Sequence, residues 1–140
     1  MDQAARNDYL TTEVMTAAPQ KLQLMLIEAA IRTAQQAQAH WENGRDEQAC
    51  EALVRCQQVV TELFAGLDVQ AKSPLVKRVA GIYLFVYRSL VAANLERSRE
   101  KLQDALRVLE AERATWQQVC VQLGTRKQEG DVTAGASFEA

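Results

Sequence analysis

Histidine is nearly absent from this 140-residue sequence; His40 is the only one. A nucleophile, base and orienter arrangement therefore has one candidate base. It stands next to Trp41 at a polar helix end, the setting of a surface residue. Ala37, not an acid, lies three residues before it, so the paired Glu-x-x-His motifs of a di-iron bundle are excluded. Glycine is sparse too. Gly44, Gly66 and Gly81 stand apart from one another, and no loop rich in glycine is available to cradle a phosphate. Cysteine occurs three times, as Cys50, Cys56 and Cys120. The odd count and the spacing give no disulfide framework. On a helix, Cys50 and Cys56 would lie about 240° apart around the axis, too far round to bridge. All three read as small core thiols in a reducing compartment. No apolar run reaches the roughly 18 residues of a membrane span. The first stretch, MDQAARNDYLTTE, carries acids and no apolar core, so it is not read as a secretory leader. Net charge is −2, with a pI near 5.5. No basic excess marks a nucleic-acid partner. The pairs Lys77-Arg78 and Arg97/Arg99/Lys101 read as solvated helix ends. Nothing in the pattern supports an enzyme, a metal or a cofactor, and the expected location is the cytoplasm.

Hydrophobic residues make up 48% of the chain and charged residues 24%, the mix of a single globular domain. The two prolines and most glycines fall at segment edges, which leaves room for long helices. Residues 1–16 are polar around Tyr9, Leu10, Val14 and Met15 and are expected to form an N-terminal arm. A first helix is expected from Pro19, a favoured first helical position, to about Glu42, closed by Asn43-Gly44. A second runs from about Asp46 to Leu67, with Ala49, Leu53, Cys56, Val60, Leu63 and Leu67 in one stripe. Ser73-Pro74 is a cap followed by a proline, and opens a third helix that runs to about Leu95. A fourth spans roughly Ser98 to Leu123, with Leu102, Ala105, Leu106, Leu109, Trp116, Val119, Cys120 and Leu123 on one side and Gly124 as its stop. The polar, glycine-bearing segment 124–140 is expected to be a disordered tail. The fold class is all-α: an antiparallel up-down four-helix bundle over 17–123, with an arm and a tail.

The third helix has too much apolar surface. Ile82-Tyr83-Leu84-Phe85-Val86-Tyr87 is an unbroken apolar and aromatic run. A buried strand would also suit these residue types, but helical spacing continues through Leu90, Val91 and Leu95. On a wheel, Val76, Val79, Tyr83, Val86, Tyr87 and Leu90 form the centre. Leu75, Ile82 and Ala93 widen it on one side, and Ala80, Leu84, Val91 and Leu95 on the other. The arc is roughly 220°, about twice what a surface helix needs. Phe85 falls outside it, among Arg78, Gly81, Arg88 and Ser89. The first helix has a similar excess: Leu22, Met25, Leu26 and Ala29 form a core stripe, and Leu24, Ile27 and Ile31 form a second beside it. Either the third helix is the most buried of the four and these residues pack around it, or another polypeptide covers the surplus. An amphipathic helix laid in a groove is the expected mode for the second case.

Four stretches carry a likeness. They are Tyr9 with VMTAAPQKLQLMLIEAAIR at 14–32, LFAGLD at 63–68, YLFVYRSLVAANL at 83–95 and RATWQQ at 113–118. In this order and spacing they resemble the flagellar secretion chaperone family, FliS, over about residues 9–120. The first matches a T-A-S-P-x-x-L-x-x-M-L-Y-D-G-A-I pattern at Thr16, Ala17, Pro19, Leu22, Met25, Leu26, Ala30 and Ile31. The third resembles Y-x-Y/F-M-Y-x-x-L-x-x-A-N, and the fourth L-R-x-T-W. There are departures: Ile27-Glu28-Ala29 replaces Tyr-Asp-Gly, Ala18 replaces a serine cap, and Leu84 stands where an aspartate is usual. The resemblance is to a divergent member.

It implies an antiparallel four-helix bundle that binds the disordered C-terminal segment of flagellin in the cytoplasm. Such a protein prevents premature polymerisation and delivers the subunit to the flagellar export gate. The expected contact residues, taken from the wheel, are Leu24, Ile27, Ile31, Leu84, Phe85, Val91 and Leu95. Tyr9 and Leu10 of the arm are expected to lie over part of the groove when cargo is absent. Tyr83, Tyr87, Asn94 and Trp116 match the family and are read as structural. Without cargo the chain is expected to be a monomer or a weak dimer. The rival expectation is a self-associating helical adaptor that uses the same flanks as its own interface.

Overall fold

The structure is a computed structural model that describes residues 19–68 and 73–139, with side chains to residue 124. Four helices follow one another: α1 (Pro19–Glu42), α2 (Asp46–Ala65), α3 (Pro74–Glu96) and α4 (Arg99–Glu139). Each packs on the next, and α4 closes the ring against α1. Short links between long helices force antiparallel neighbours, so this is the expected up-down bundle. Among the described residues there is no strand, and the run 82–87 lies within α3. The arm, with Tyr9 and Leu10, lies outside the described residues.

Local chemistry sets the helix ends. Gly44 closes α1 with φ at 68°, and Arg45 N–H reaches back to the His40 carbonyl at 2.8 Å. Ser73 caps α3 by accepting from Leu75 N–H at 3.2 Å, ahead of Pro74. The turn from α3 into α4 puts Arg97 at φ 51°, and Ser98 N–H donates to the Ala93 carbonyl at 3.0 Å. Ser98 Oγ then accepts from Lys101 N–H at 3.2 Å at the start of α4.

Two ends differ from expectation. α2 stops at Ala65, two residues short of Leu67. α4 does not stop at Leu123; its helical backbone passes through Gly124 to Glu139. A glycine inside a helix costs about 1 kcal/mol relative to alanine but does not break it. It ends a helix where φ turns positive, as at Gly44, and Gly124 does not make that turn.

The core is one cluster drawn from all four helices. α2 contributes Ala52, Leu53, Cys56, Val60 and Leu63, close to the expected stripe, and α4 contributes Leu102, Ala105, Leu106 and Leu109. α3 buries Tyr83, Val86, Leu90 and Ala93. On α1 the stripes are exchanged. Ile27, Ala30, Ile31, Ala34 and Ala37 form the core, whereas Leu22, Met25, Leu26 and Ala29 are only half-buried. The 27/30/31/34/37 row is the one that continues along the helix, while the other row meets Thr33 and Gln36. Cys56 is a core thiol that donates to the Ala30 carbonyl of α1 at 3.2 Å, and burial pushes its pKa up to about 11. Cys50 is exposed and Cys120 half-buried, so only one of the three cysteines fills the expected core role.

Arg97 occupies a left-handed conformation that side chains with a Cβ disfavour, and its ion pair to Asp46 (3.2 Å) is solvent-exposed. Arg97→Gly is expected to raise stability by about 0.5 kcal/mol, read from the urea midpoint at unchanged slope.

Candidate binding grooves on either side of α3

α3 cannot hide its apolar arc inside a four-helix ring. Its packed neighbours are α2 and α4, so two bands of the helix stay outside. On one side, Leu84 and Phe85 are 40% and 49% exposed and line an open groove of about 430 Å³ with Gly81, Arg88, Lys101 and Asp104. Leu95, 80% exposed, continues this side toward the end of the helix. On the other side lies a groove of about 460 Å³ at the far end of the bundle. Its walls include Leu67, Leu75, Val79, Ile82 and Trp116, and Leu75 is 67% exposed.

Arg78, Glu112 and Thr115 are polar members of the end groove's lining, and a buried polar network lies close by. Tyr83 is fully buried and donates its hydroxyl to Gln23 Oε1 at 2.6 Å. Gln23, also buried, donates through Nε2 to the Leu63 carbonyl at 3.3 Å. Gly66 makes room for this amide, since a Cβ there would strike Gln23 Nε2. Phe64 meets the Tyr83 ring edge-on at 5.9 Å. Beside this network, Glu112 of α4 lines the groove while being nine-tenths buried. Burial raises its pKa; the Trp116 indole and the positive charge of Arg78 work against that rise. Burial, with the charge of Glu112, also pushes the Tyr83 hydroxyl well up. The Trp116 N–H is buried with no well-aligned acceptor, yet it is the donor that opposes the rise at both Glu112 and Tyr83.

The expected contact residues separate into three sets. Leu84, Phe85 and Leu95 are exposed on one face of α3, and Leu24 and Val91 are half-buried. Ile27 and Ile31 are 0% and 4% exposed and belong to the core, so they cannot meet a partner without opening the bundle. Tyr9 and Leu10 lie outside the described residues. Of the residues read as structural, Tyr83 is a core residue with a satisfied hydroxyl.

The sequence profile described as "Flagellar protein FliS" matches residues 1–123. This chain belongs to the FliS family. A curated relative, "Flagellar secretion chaperone FliS" of Campylobacter jejuni subsp. jejuni serotype O:6 (strain 81116 / NCTC 11828), is 26% identical over 115 residues. That alignment covers 82% of this chain and 90% of the relative. At this level of identity the chain is a divergent FliS member, and both grooves lie within the matched length. Among its described residues, no helix is long and apolar enough to cross a membrane.

Two functional candidates escaped the sequence reading, Gln23 and Glu112. Both sit on apolar rows, Gln23 four residues before Ile27, and Glu112 between Leu109 and Trp116 at steps of three and four. A polar residue on such a row is the available signal.

Tyr83→Phe leaves Gln23 Oε1 buried without its donor. It is expected to destabilise the fold by about 1–3 kcal/mol in urea unfolding. Glu112 gives a pH signature. Its folded pKa is raised above the ordinary 4.5, so the native state holds this proton more tightly than the unfolded chain. Its contribution therefore falls as pH rises from 4.5 through the folded value. Urea midpoints of Glu112→Gln should exceed those of the wild type at neutral pH, with the gap closing as pH falls.

Proposed function

We propose that this FliS-family chain is a cytoplasmic export chaperone for flagellin. It binds the disordered C-terminal segment of flagellin, prevents premature polymerisation and hands the subunit to the flagellar export apparatus. Family membership supports the flagellar role. The single structural observation that carries the binding mode is the apolar surface left uncovered on both sides of α3. Monomeric soluble proteins rarely leave such surface without use.

The mechanism is coupled folding and binding. Isolated short helices are marginal in water, so the cargo segment gains helical structure as it buries an apolar face. Burial contributes roughly 25 cal/mol per Å² of apolar area, and chain ordering opposes it. Leu84, Phe85 and Leu95 form one contact band, Leu75, Val79, Ile82 and Trp116 the other. Leu24 and Val91 serve as partial contacts. Ile27 and Ile31 support the bundle from inside. Tyr9 and Leu10 are assigned to the arm that lies over part of the groove when cargo is absent. The same uncovered bands would suit a self-associating adaptor, but no feature of the structure favours that use over cargo.

Calorimetric titration with a C-terminal flagellin segment from the same organism is expected to show saturable one-to-one binding. Its heat-capacity change should be large and negative. Phe85→Asp, on the surface, should weaken binding by about tenfold or more with the melting temperature held within a few degrees. No binding at high micromolar segment, or a stable dimer that ignores it, would sink the chaperone reading.

A further inference from the structure

Neither the backbone nor the packing of α3 calls for glycine at position 81. Gly81 lies inside the helix, its φ is not positive, and a Cβ there would meet nothing within 4 Å. Gly44 and Gly66 differ: the first turns with φ at 68°, and a Cβ on the second would strike Gln23 Nε2. A glycine in a helix interior is destabilising relative to alanine, so α3 gives up stability at this point and gains no contact from it. Gly81 does line the groove on the Phe85 side, one turn before Leu84 and Phe85. A residue without a side chain lets a second backbone come close. Packed helix axes lie about 8–10 Å apart, the distance being set by the side chains between them.

The same groove carries an unbalanced positive charge. Among the described residues Arg88 makes no ion pair and no hydrogen bond. Lys101 meets Glu96 only at 3.9 Å, and the one acid in the lining, Asp104, is taken by Arg107 at 2.7 Å. On a wheel Leu84, Arg88 and Leu95 fall within about 40° of one another. A helix that covers the two exposed leucines therefore passes over Arg88. A wholly apolar face displaces water from the guanidinium and returns nothing. A carboxylate can return two parallel N–H···O bonds.

We infer that this groove docks a helix of the cargo segment whose apolar face carries one carboxylate (Asp or Glu), with Gly81 setting how closely that helix approaches and Arg88 pairing with the carboxylate. The inference rests on the export-chaperone reading, with the flagellin C-terminal segment as occupant. The carboxylate stands about one turn from the apolar residue over Leu84 and about two turns from the one over Leu95, because both helices rise equally per residue. Apolar burial gives this groove tolerance of sequence, and the charge gives it preference.

The test uses a synthetic flagellin C-terminal segment titrated into the full-length protein. Gly81→Leu is expected to weaken binding about tenfold or more, since its side chain stands where the incoming backbone would lie. Gly81→Ala adds the smallest side chain, and covers the case in which the leucine variant folds poorly. It should weaken binding several-fold while the melting temperature rises by a few degrees, opposite signs that a merely structural glycine would not produce.

The charge is read by a double-mutant cycle. Each Asp and Glu of the segment is replaced in turn by its amide. One replacement is expected to weaken binding to the wild type about fivefold and to Arg88→Ala by less than about twofold. Lysine at that same position of the segment should restore binding to Arg88→Glu. Gly81→Leu binding as tightly as the wild type overturns the inference, and so does wild-type binding in which no carboxylate couples to Arg88; the chaperone reading then stands. No binding by the wild type overturns both. A dimer that Gly81→Leu breaks and the segment does not displace overturns the inference as well.

Discussion

Tyr83 holds the bundle across its diagonal. In a ring of four helices, α1 and α3 are not neighbours, and the contacts between successive helices do not fix their separation. The Tyr83 hydroxyl reaches Gln23 on α1, the Gln23 amide reaches the last turn of α2, and the Tyr83 ring rests against Phe64. One side chain thus sets the distance between diagonal helices and the azimuth of α3. Both partners are buried, so the hydrogen bond has no solvent substitute and its geometry is strongly enforced.

Once that azimuth is fixed, so is what remains outside. With Tyr83, Val86, Leu90 and Ala93 turned inward, Leu84, Phe85 and Leu95 must emerge on one side and Leu75 on the other. The uncovered bands are a consequence of packing the best row of α3 inward, and rotating the helix to hide one band would expose the other. The surplus is therefore a property of the composition of α3, and only more polypeptide can cover it.

Much of this was legible in the sequence. The starts of α1 and α3 follow from Pro19 and Ser73-Pro74, since proline and its cap act locally. Leu84, Phe85 and Leu95 were identifiable because exposure on a single helix follows from angle alone. The α1 stripe was not. Leu22, Met25 and Leu26 are bulkier than the alanines that replace them in the core, and hydrophobicity ranks them first. Depth along the whole helix decides the matter, and Ala34 and Ala37 belong to the row that runs its full length. Ile27 and Ile31 were misplaced with it. Gln23 and Glu112 stayed hidden because the partner of Gln23 is 60 residues away and the charge that acts on Glu112, Arg78, comes from another helix. The continuation of α4 was missed because glycine composition does not encode the φ it adopts.

The seam between α1 and α2 is lined by Ala30, Ala34, Ala37 and Ala52, and a thiol on one helix touches a backbone carbonyl of the other. Small side chains let the two backbones approach closely, and close-packed interiors deform little. Stiffness is consequently uneven around the ring. α1 and α2 act as a rigid plate, and whatever adjustment the molecule makes is concentrated in the α3–α4 half, where larger side chains, an open end and a half-buried tryptophan leave slack. The pliable half is also the half that carries both grooves, so the protein can alter the shape of its outer surface while keeping its foundation still.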